Sequence, residues 1–239
     1  MFTRLLNRLS LAAPAHAPLW PSQCIVCRAW PAQTLCGDCT VRFAPVVARC
    51  TTCALPVPPG VAICGACLRH PPPMTRCLAA LPYAWPWAMC MARWKFEGDV
   101  GLTRPLARLM MEAPEMRRAT AMADIVLPMP MSPQRLGERG YNPALLLARA
   151  LARQRTLADL LLRTRDTPPQ RGLPRARRLK NVRGAFQVNP LRASELDGRH
   201  VALIDDVMTT GASVREAASA LRAAGASQIS VLVLARAAN

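Results

Sequence analysis

The chain has 239 residues, 51% of them hydrophobic, and a formal net charge of +17. That length and apolar content exclude a disordered tail or a minimal disulfide-stapled peptide, and leave room for one large domain or a medium domain with a small partner. Aromatics are only 5%, so the core must be built from Ala, Leu, Val and Met. Lys95 and Lys180 are the only lysines. The positive charge is therefore almost entirely guanidinium, which pairs bidentately with phosphate. A balance this basic favours polyanions or phosphorylated small molecules as partners. A solvated surface in a composition skewed to Ala, Arg and Pro is the competing account.

Residues 1–20 form an N-terminal tail. Arg4 and Arg8 precede a short apolar stretch, and Ala15–His16–Ala17 imitates a signal-peptidase site. Asn7 and Arg8 interrupt the apolar run and Pro14 breaks it, so no adequate signal core remains. The longest uncharged stretch in the early half, Cys77 to Ala92, contains Pro82 and Pro86 and falls short of the ~20 residues that span a bilayer. The expectation is a cytoplasmic chain with no transmembrane segment.

Residues 21–73 carry eight of the ten cysteines as four C-x2-C pairs: Cys24/Cys27, Cys36/Cys39, Cys50/Cys53 and Cys64/Cys67. Each pair places two thiolates on one tight knuckle, and two knuckles complete a tetrahedral sulfur site suited to Zn2+. Four knuckles make two structural sites. A disulfide framework would need an oxidising compartment, which the N-terminus does not support. The gaps between pairs are eight, ten and ten residues. Such short gaps favour sequential sites, Cys24/Cys27/Cys36/Cys39 and Cys50/Cys53/Cys64/Cys67, over a crossed arrangement joining the first and third pairs. Cys77 and Cys90 lie outside the pattern and read as buried small hydrophobes. This region is proline-rich and poor in apolar runs, so metal binding would supply its folding free energy, on the order of 10–16 kcal/mol per zinc. Pro71–Pro73 reads as a stiff linker leading to a larger domain, residues 74–239.

In that domain, Leu78–Ala84 reads as a strand and Pro86–Phe96 as a short helix with proline in its first turn. A second helix begins near Thr103, because Pro105 is tolerated only early in a helix. Asp124–Pro130 is a strand entering a proline-rich loop. Asn142 and Pro143 form an N-cap and first helical residue ahead of an apolar stripe to Arg155. Leu157–Thr164 holds another apolar run, and Gly184–Val188 a short strand.

The last unit is the best defined. Val201–Ile204 is a strand. Ser213 with Glu216 three residues on fits a capping box. Val214, Ala217, Ala218 and Leu221 keep helical spacing, Gly225 ends the helix, and Ile229–Ala235 is the next strand. Strand, helix and strand within about 35 residues make a βαβ unit, hence a parallel sheet. Ligands of such sheets sit beyond the carboxyl ends of the strands, where Asp205 to Ser213 falls. A helix start behind a glycine turn binds phosphate through backbone N–H groups, and Thr209, Thr210 and Ser213 add hydroxyls. Asp205 and Asp206 would repel a phosphate but suit the vicinal hydroxyls of a ribose beside it. Neither G-x-x-x-x-G-K-[ST] nor G-x-G-x-x-G occurs.

The stretch VALIDDVMTTGAS, Val201–Ser213, resembles the phosphoribosyl pyrophosphate (PRPP) loop of type I phosphoribosyltransferases. With the cysteine pairs before it, the chain from about residue 21 resembles the ComF family of competence-associated proteins. Three further stretches carry the likeness: Trp94–Asp99 with Lys95; Leu127–Asn142, ending in Arg139, Gly140, Tyr141 and Asn142; and the segment holding Arg163, Thr167, Gln170, Leu173, Arg178, Asn181, Gly184 and Phe186. The family usually has glutamine after that asparagine; this chain has Pro143.

The resemblance implies an α/β fold: a type I phosphoribosyltransferase-like parallel-sheet domain preceded by a small zinc-binding domain. It implies that Asp205 and Asp206 hold the ribose hydroxyls, and that Val207, Met208, Thr209, Thr210, Gly211, Ala212 and Ser213 cradle the 5-phosphate. The loop Pro128, Met129, Pro130, Met131 and Ser132 would face the pyrophosphate. The segment from Arg163 to Asn181, with Gln170 and Arg178, would be a lid. Mg2+ would enter with PRPP, ligated mainly by it. The implied activity is transfer of ribose 5-phosphate to an unassigned acceptor, single-stranded DNA or a nucleotide among the candidates, in DNA uptake. The alternative is a non-catalytic DNA-binding module or adaptor to competence proteins that keeps the PRPP site as a sensor. The scarcity of aromatics opposes extensive base stacking, although Trp85, Trp87 and Trp94 cluster in sequence.

Overall fold

The computed structural model describes residues 22–30, 32–165 and 182–238. Two short helices lie in the cysteine region, α1 (Gly37–Phe43) and α2 (Gly65–Arg69). The larger part runs β1 (Arg76–Pro82), α3 (Trp87–Phe96), α4 (Thr103–Glu112), α5 (Pro114–Met122), β2 (Ile125–Pro128), α6 (Pro133–Arg139), α7 (Pro143–Ala152), β3 (Leu161–Arg163), β4 (Phe186–Val188), β5 (His200–Met208), α8 (Ala212–Ala223) and β6 (Gln228–Arg236).

The main sheet has the order β1-β6-β5-β2, and every pairing in it is parallel. Its central strands are apolar nearly throughout, as a sheet covered on both faces requires. Alternate residues feed two cores. Val201, Leu203, Val231 and Val233 join α8 and the β3–β4 hairpin on one face. Ala202, Ile204, Leu232 and Leu234 join α3, α4, α5 and α7 on the other. The βαβ reading of the C-terminal unit is confirmed, with α8 as the crossover.

Trp87 and Trp94 are fully buried. Trp87 Nε1 donates to Phe43 O at 2.6 Å, and Trp94 Nε1 donates to Thr103 Oγ1 at 2.9 Å. Of the three clustered tryptophans only Trp85 is exposed, so the other two are core and offer no stacking surface. Cys77 and Cys90 are buried among hydrophobics as expected.

The cysteine region packs onto both faces of the sheet. Ile25 and Leu35 of its first half join the α3–α7 core. Ala54 of its second half joins the α8 core, and Cys77 N–H donates to Thr51 O at 2.8 Å.

Two expectations about the C-terminal unit are corrected. β5 does not stop at Ile204 but continues through both acids to Met208, because Asp205 and Val207 still find ladder partners in Val233 and Ala235. Nor does Ser213 cap the helix. Gly211, at φ +75°, is the N-cap, and Ser213 lies within the first turn. Glu216 is engaged elsewhere, its Oε1 accepting from Gly184 N–H at 2.6 Å.

Candidate functional site

A cavity of about 770 Å³ opens at the carboxyl end of β5. Every residue from Asp205 to Ser213 lines it, as do Met129–Met131, Lys95, Arg135, Arg139 and Arg163. This is where a parallel sheet presents ligand sites. Four chain segments far apart in sequence converge there because β2, β5 and α3 end on the same side.

The turn after β5 is built for close approach. Gly211 supplies the left-handed backbone that an L side chain resists, and the N-terminus of α8 adds a positive dipole end. Thr210 Oγ1 accepts from Ala212 N–H at 3.4 Å, and Arg215 N–H returns to Gly211 O at 2.9 Å.

The acids stand just before this turn. Asp206 Oδ1 is 2.8 Å from Lys95 Nζ, and both side chains are largely buried, at 16% and 12% exposure. Asp205 Oδ1 accepts from Asp206 N–H at 2.9 Å. Burial, and then the neighbouring Asp206 charge, push the Asp205 carboxyl up to about 8, although Lys95 pulls the other way. One lysine thus faces two partly buried carboxylates, and Asp205 retains a proton that an exposed aspartate would lose.

Opposite lies the β2–α6 loop. Met129 N–H donates to Ile204 O at 2.8 Å. Asn142 Nδ2 donates to Met129 O at 3.0 Å, while its Oδ1 accepts from the amides of Ala144 and Leu145. Asn142 therefore caps α7 and ties the loop in place with one side chain. Pro143, at the first helical position, is compatible with that geometry. Of the five loop residues, Met129, Pro130 and Met131 line the cavity; Pro128 belongs to β2, and Ser132 is the buried N-cap of α6. Arg163 lines the cavity and lies 5.6 Å over the Phe186 ring. Gln170, Arg178 and Asn181, with Thr167 and Leu173, lie outside the described residues.

Sequence reasoning missed Arg135, Glu138, Phe96 and Tyr83, which also line the cavity. Ser132–Pro133 repeats the cap-and-proline signature of Asn142–Pro143 and was the available signal for α6; Phe96 lies in the Trp94–Asp99 stretch, singled out only for Lys95, and Tyr83 offered no signal.

The cysteines form two tetrads in sequential pairing, Cys24/Cys27/Cys36/Cys39 and Cys50/Cys53/Cys64/Cys67, with the sulfurs of each within 4.8 Å of one another. All ten cysteines are free thiols. The separations Cys24–Cys39, Cys27–Cys36 and Cys53–Cys64 are 3.9, 3.7 and 3.7 Å. A tetrahedral ion with Zn–S bonds of about 2.3 Å sets sulfur–sulfur edges near ~3.8 Å, so both tetrads have the spacing zinc requires. Cys24 and Cys50 are each held down to about 6. Burial opposes this, but backbone N–H groups from Cys27 and Cys36 for one, and Cys64 and Thr52 for the other, stabilise the thiolate.

Residues 139–239 match the sequence pattern described as the phosphoribosyl transferase domain. With the parallel sheet and the turn at its carboxyl edge, that match defines a phosphoribosyltransferase-like α/β protein preceded by cysteine clusters able to hold zinc. Competence protein F of Haemophilus influenzae is 35% identical over 161 residues, covering 65% of this chain and 70% of that protein. DNA utilization protein YhgH of Escherichia coli (strain K12) is 31% identical over 175 residues, covering 71% of this chain and 75% of that protein. The chain belongs to the ComF family. A solved structure described as the allosteric regulatory enzyme of purine biosynthesis shares 18% identity over 55% of this chain and 25% of that chain, with a TM-score of 0.35, too slight a likeness to add to the assignment. Among the described residues no helix is long and apolar enough to cross a membrane.

Proposed function

We propose that the cavity binds Mg-PRPP and that the protein transfers its ribose 5-phosphate to an acceptor during the handling of incoming DNA, in the cytoplasm. The observation that carries this reading is the order of groups along one edge: two carboxylates, then a glycine turn with hydroxyls, then a helix N-terminus, all lining one cavity.

In this reading the amides and hydroxyls from Val207 to Ser213 take the 5-phosphate. Asp205 and Asp206 accept hydrogen bonds from the ribose 2′- and 3′-hydroxyls. Met129–Met131 face the pyrophosphate, and Lys95, Arg135, Arg139 and Arg163 supply positive charge around it. Magnesium entering with PRPP would supply charge neutralisation at the pyrophosphate, and no side chain of this protein is assigned as its ligand. The chain's part is positioning and charge stabilisation: it fixes both ends of the sugar phosphate so that the anomeric carbon faces the open side of the cavity. The bond to pyrophosphate breaks there as the acceptor's nucleophile closes on the same carbon. The two cysteine tetrads hold structural zinc. The DNA connection rests on the names of the two relatives.

Phosphorus NMR of Mg-PRPP with the zinc-loaded protein tests the reading. The 5-phosphate resonance is expected to shift and broaden with the wild-type chain and to stay unchanged with an Asp205→Asn/Asp206→Asn variant that remains folded. Free pyrophosphate appearing only when an acceptor is added would identify the acceptor. An unperturbed spectrum with the wild type rejects the site.

A further inference from the structure

The two cysteine tetrads are not equivalent with respect to the phosphate turn. The first packs beside Ile25 and Leu35 against the α3–α7 face. The second packs against the α8 face and is joined to the turn from both ends by arginines. Arg236, the last residue of β6, is 3% exposed. Its Nε donates to Cys53 O at 3.0 Å, and its Nη1 donates to Met208 O at 3.1 Å and to Thr209 O. One planar guanidinium thus joins the backbone of a tetrad residue to the backbone that opens the turn. At the other end, two residues past Ser213, Arg215 places Nη2 3.6 Å from Cys67 Sγ and donates from Nη1 to His70 O at 3.4 Å.

The fork of an arginine has fixed geometry, so moving one set of acceptors moves the other. A zinc ion held by four thiolates leaves the site doubly negative, which compensates guanidinium groups placed against it. Loss of the ion releases the two knuckles from one another. The acceptors of Arg236 and Arg215 in this tetrad then lose their fixed position.

We propose that metal occupancy of Cys50/Cys53/Cys64/Cys67 and anion binding at Val207–Ser213 are thermodynamically linked, with Arg236 as the positioning residue that couples them. The second tetrad is then a metal-dependent prop for the ligand site, whereas the first serves only the fold. The proposal rests on the PRPP reading for the identity of the anion, not for the coupling itself. Linkage is reciprocal: metal tightens ligand binding, and ligand retards release of that metal alone.

Two measurements test it on the full-length zinc-loaded protein. Amide hydrogen exchange is followed across residues 207–213 in Cys53→Ser, Cys27→Ser and Arg236→Lys, the last expected to keep both metals and the positive charge. Exchange in the turn should rise about tenfold or more in Cys53→Ser and Arg236→Lys and stay at the wild-type rate in Cys27→Ser. Equal rates in all three variants, raised or not, overturn the coupling. Zinc release to a chromogenic chelator is then timed with and without Mg-PRPP. One of two phases should slow in the wild type, and neither in Arg236→Lys. Slowing of both phases or of the same phase in the variant also overturns it. If the wild type binds no PRPP, the ligand reading fails while the exchange data still decide the coupling.

Discussion

Replacing Asp205 with asparagine should stabilise the unliganded protein while abolishing its ligand binding, and the gain should grow with pH. Burial beside Asp206 raises the Asp205 carboxyl to about 8, whereas in the unfolded chain it titrates near ~3.9. Between those values the unfolded chain has released the proton and the folded chain still holds it. Stability contributed by this group is therefore complete at low pH and falls as pH rises towards 8. The slope is somewhat over 1 kcal/mol per pH unit, or about 3 kcal/mol between pH 5.5 and pH 7.5. Asparagine has no proton to lose, so the slope disappears. Denaturant unfolding of the zinc-loaded wild type and Asp205→Asn at pH 5.5, 6.5 and 7.5 measures the difference. The curves should diverge as pH rises, with the variant the more stable at pH 7.5. Parallel curves would show that the Asp205 carboxyl titrates alike in the folded and unfolded chain, and the account of a carboxyl raised by burial and by Asp206 would fall. A carboxyl kept at a cost to stability beside the proposed ligand site fits the usual conflict between stability and activity.

Other consequences follow from the same contacts. Lys95→Met removes the partner of a largely buried carboxylate and should cost about 3–5 kcal/mol, most of it recovered in Lys95→Met/Asp206→Asn; a double-mutant cycle by denaturant unfolding checks this. Gly211→Ala forces a Cβ onto a φ of +75° and should cost about 1–2 kcal/mol, read as a lower melting temperature together with weaker Mg-PRPP binding. Mass spectrometry under native conditions should find two zinc ions per chain, and chelation should remove folding free energy on the order of 10 kcal/mol per ion, read as loss of the near-ultraviolet circular dichroism signal; a chain that folds fully without metal would contradict the tetrads' role.

Much of the site was legible because its signals are local. The turn, its glycine, the acids and the crossover helix lie within one βαβ unit, and the cysteine pairs announce themselves by spacing. The errors are those of short-range reasoning. Ser213 and Glu216 satisfy the capping-box pattern, yet a left-handed Gly211 starts the helix earlier and Glu216 serves Gly184 across a tertiary contact. Trp87 and Trp94 look like a binding surface in sequence and are core in space. The meeting of Lys95 with Asp206 spans half the chain, and nothing in either segment alone announces it. The arginines divide in a way composition could not foresee. Arg236 and Arg215 are struts to the cysteine region, and Arg222 Nη2 donates to Pro73 O at 3.2 Å. A net charge of +17 therefore overstates the cationic surface open to a polyanion.

The most direct test of the central claim is calorimetric titration of Mg-PRPP into the zinc-loaded protein, run in two buffers of different ionisation enthalpy. The account predicts saturable one-to-one binding that is lost in Asp205→Asn/Asp206→Asn. It also predicts proton release on binding below pH 8, because the raised Asp205 carboxyl must ionise to accept the ribose hydroxyls. Absence of binding by the folded wild type, or binding undiminished in the double variant, would contradict it.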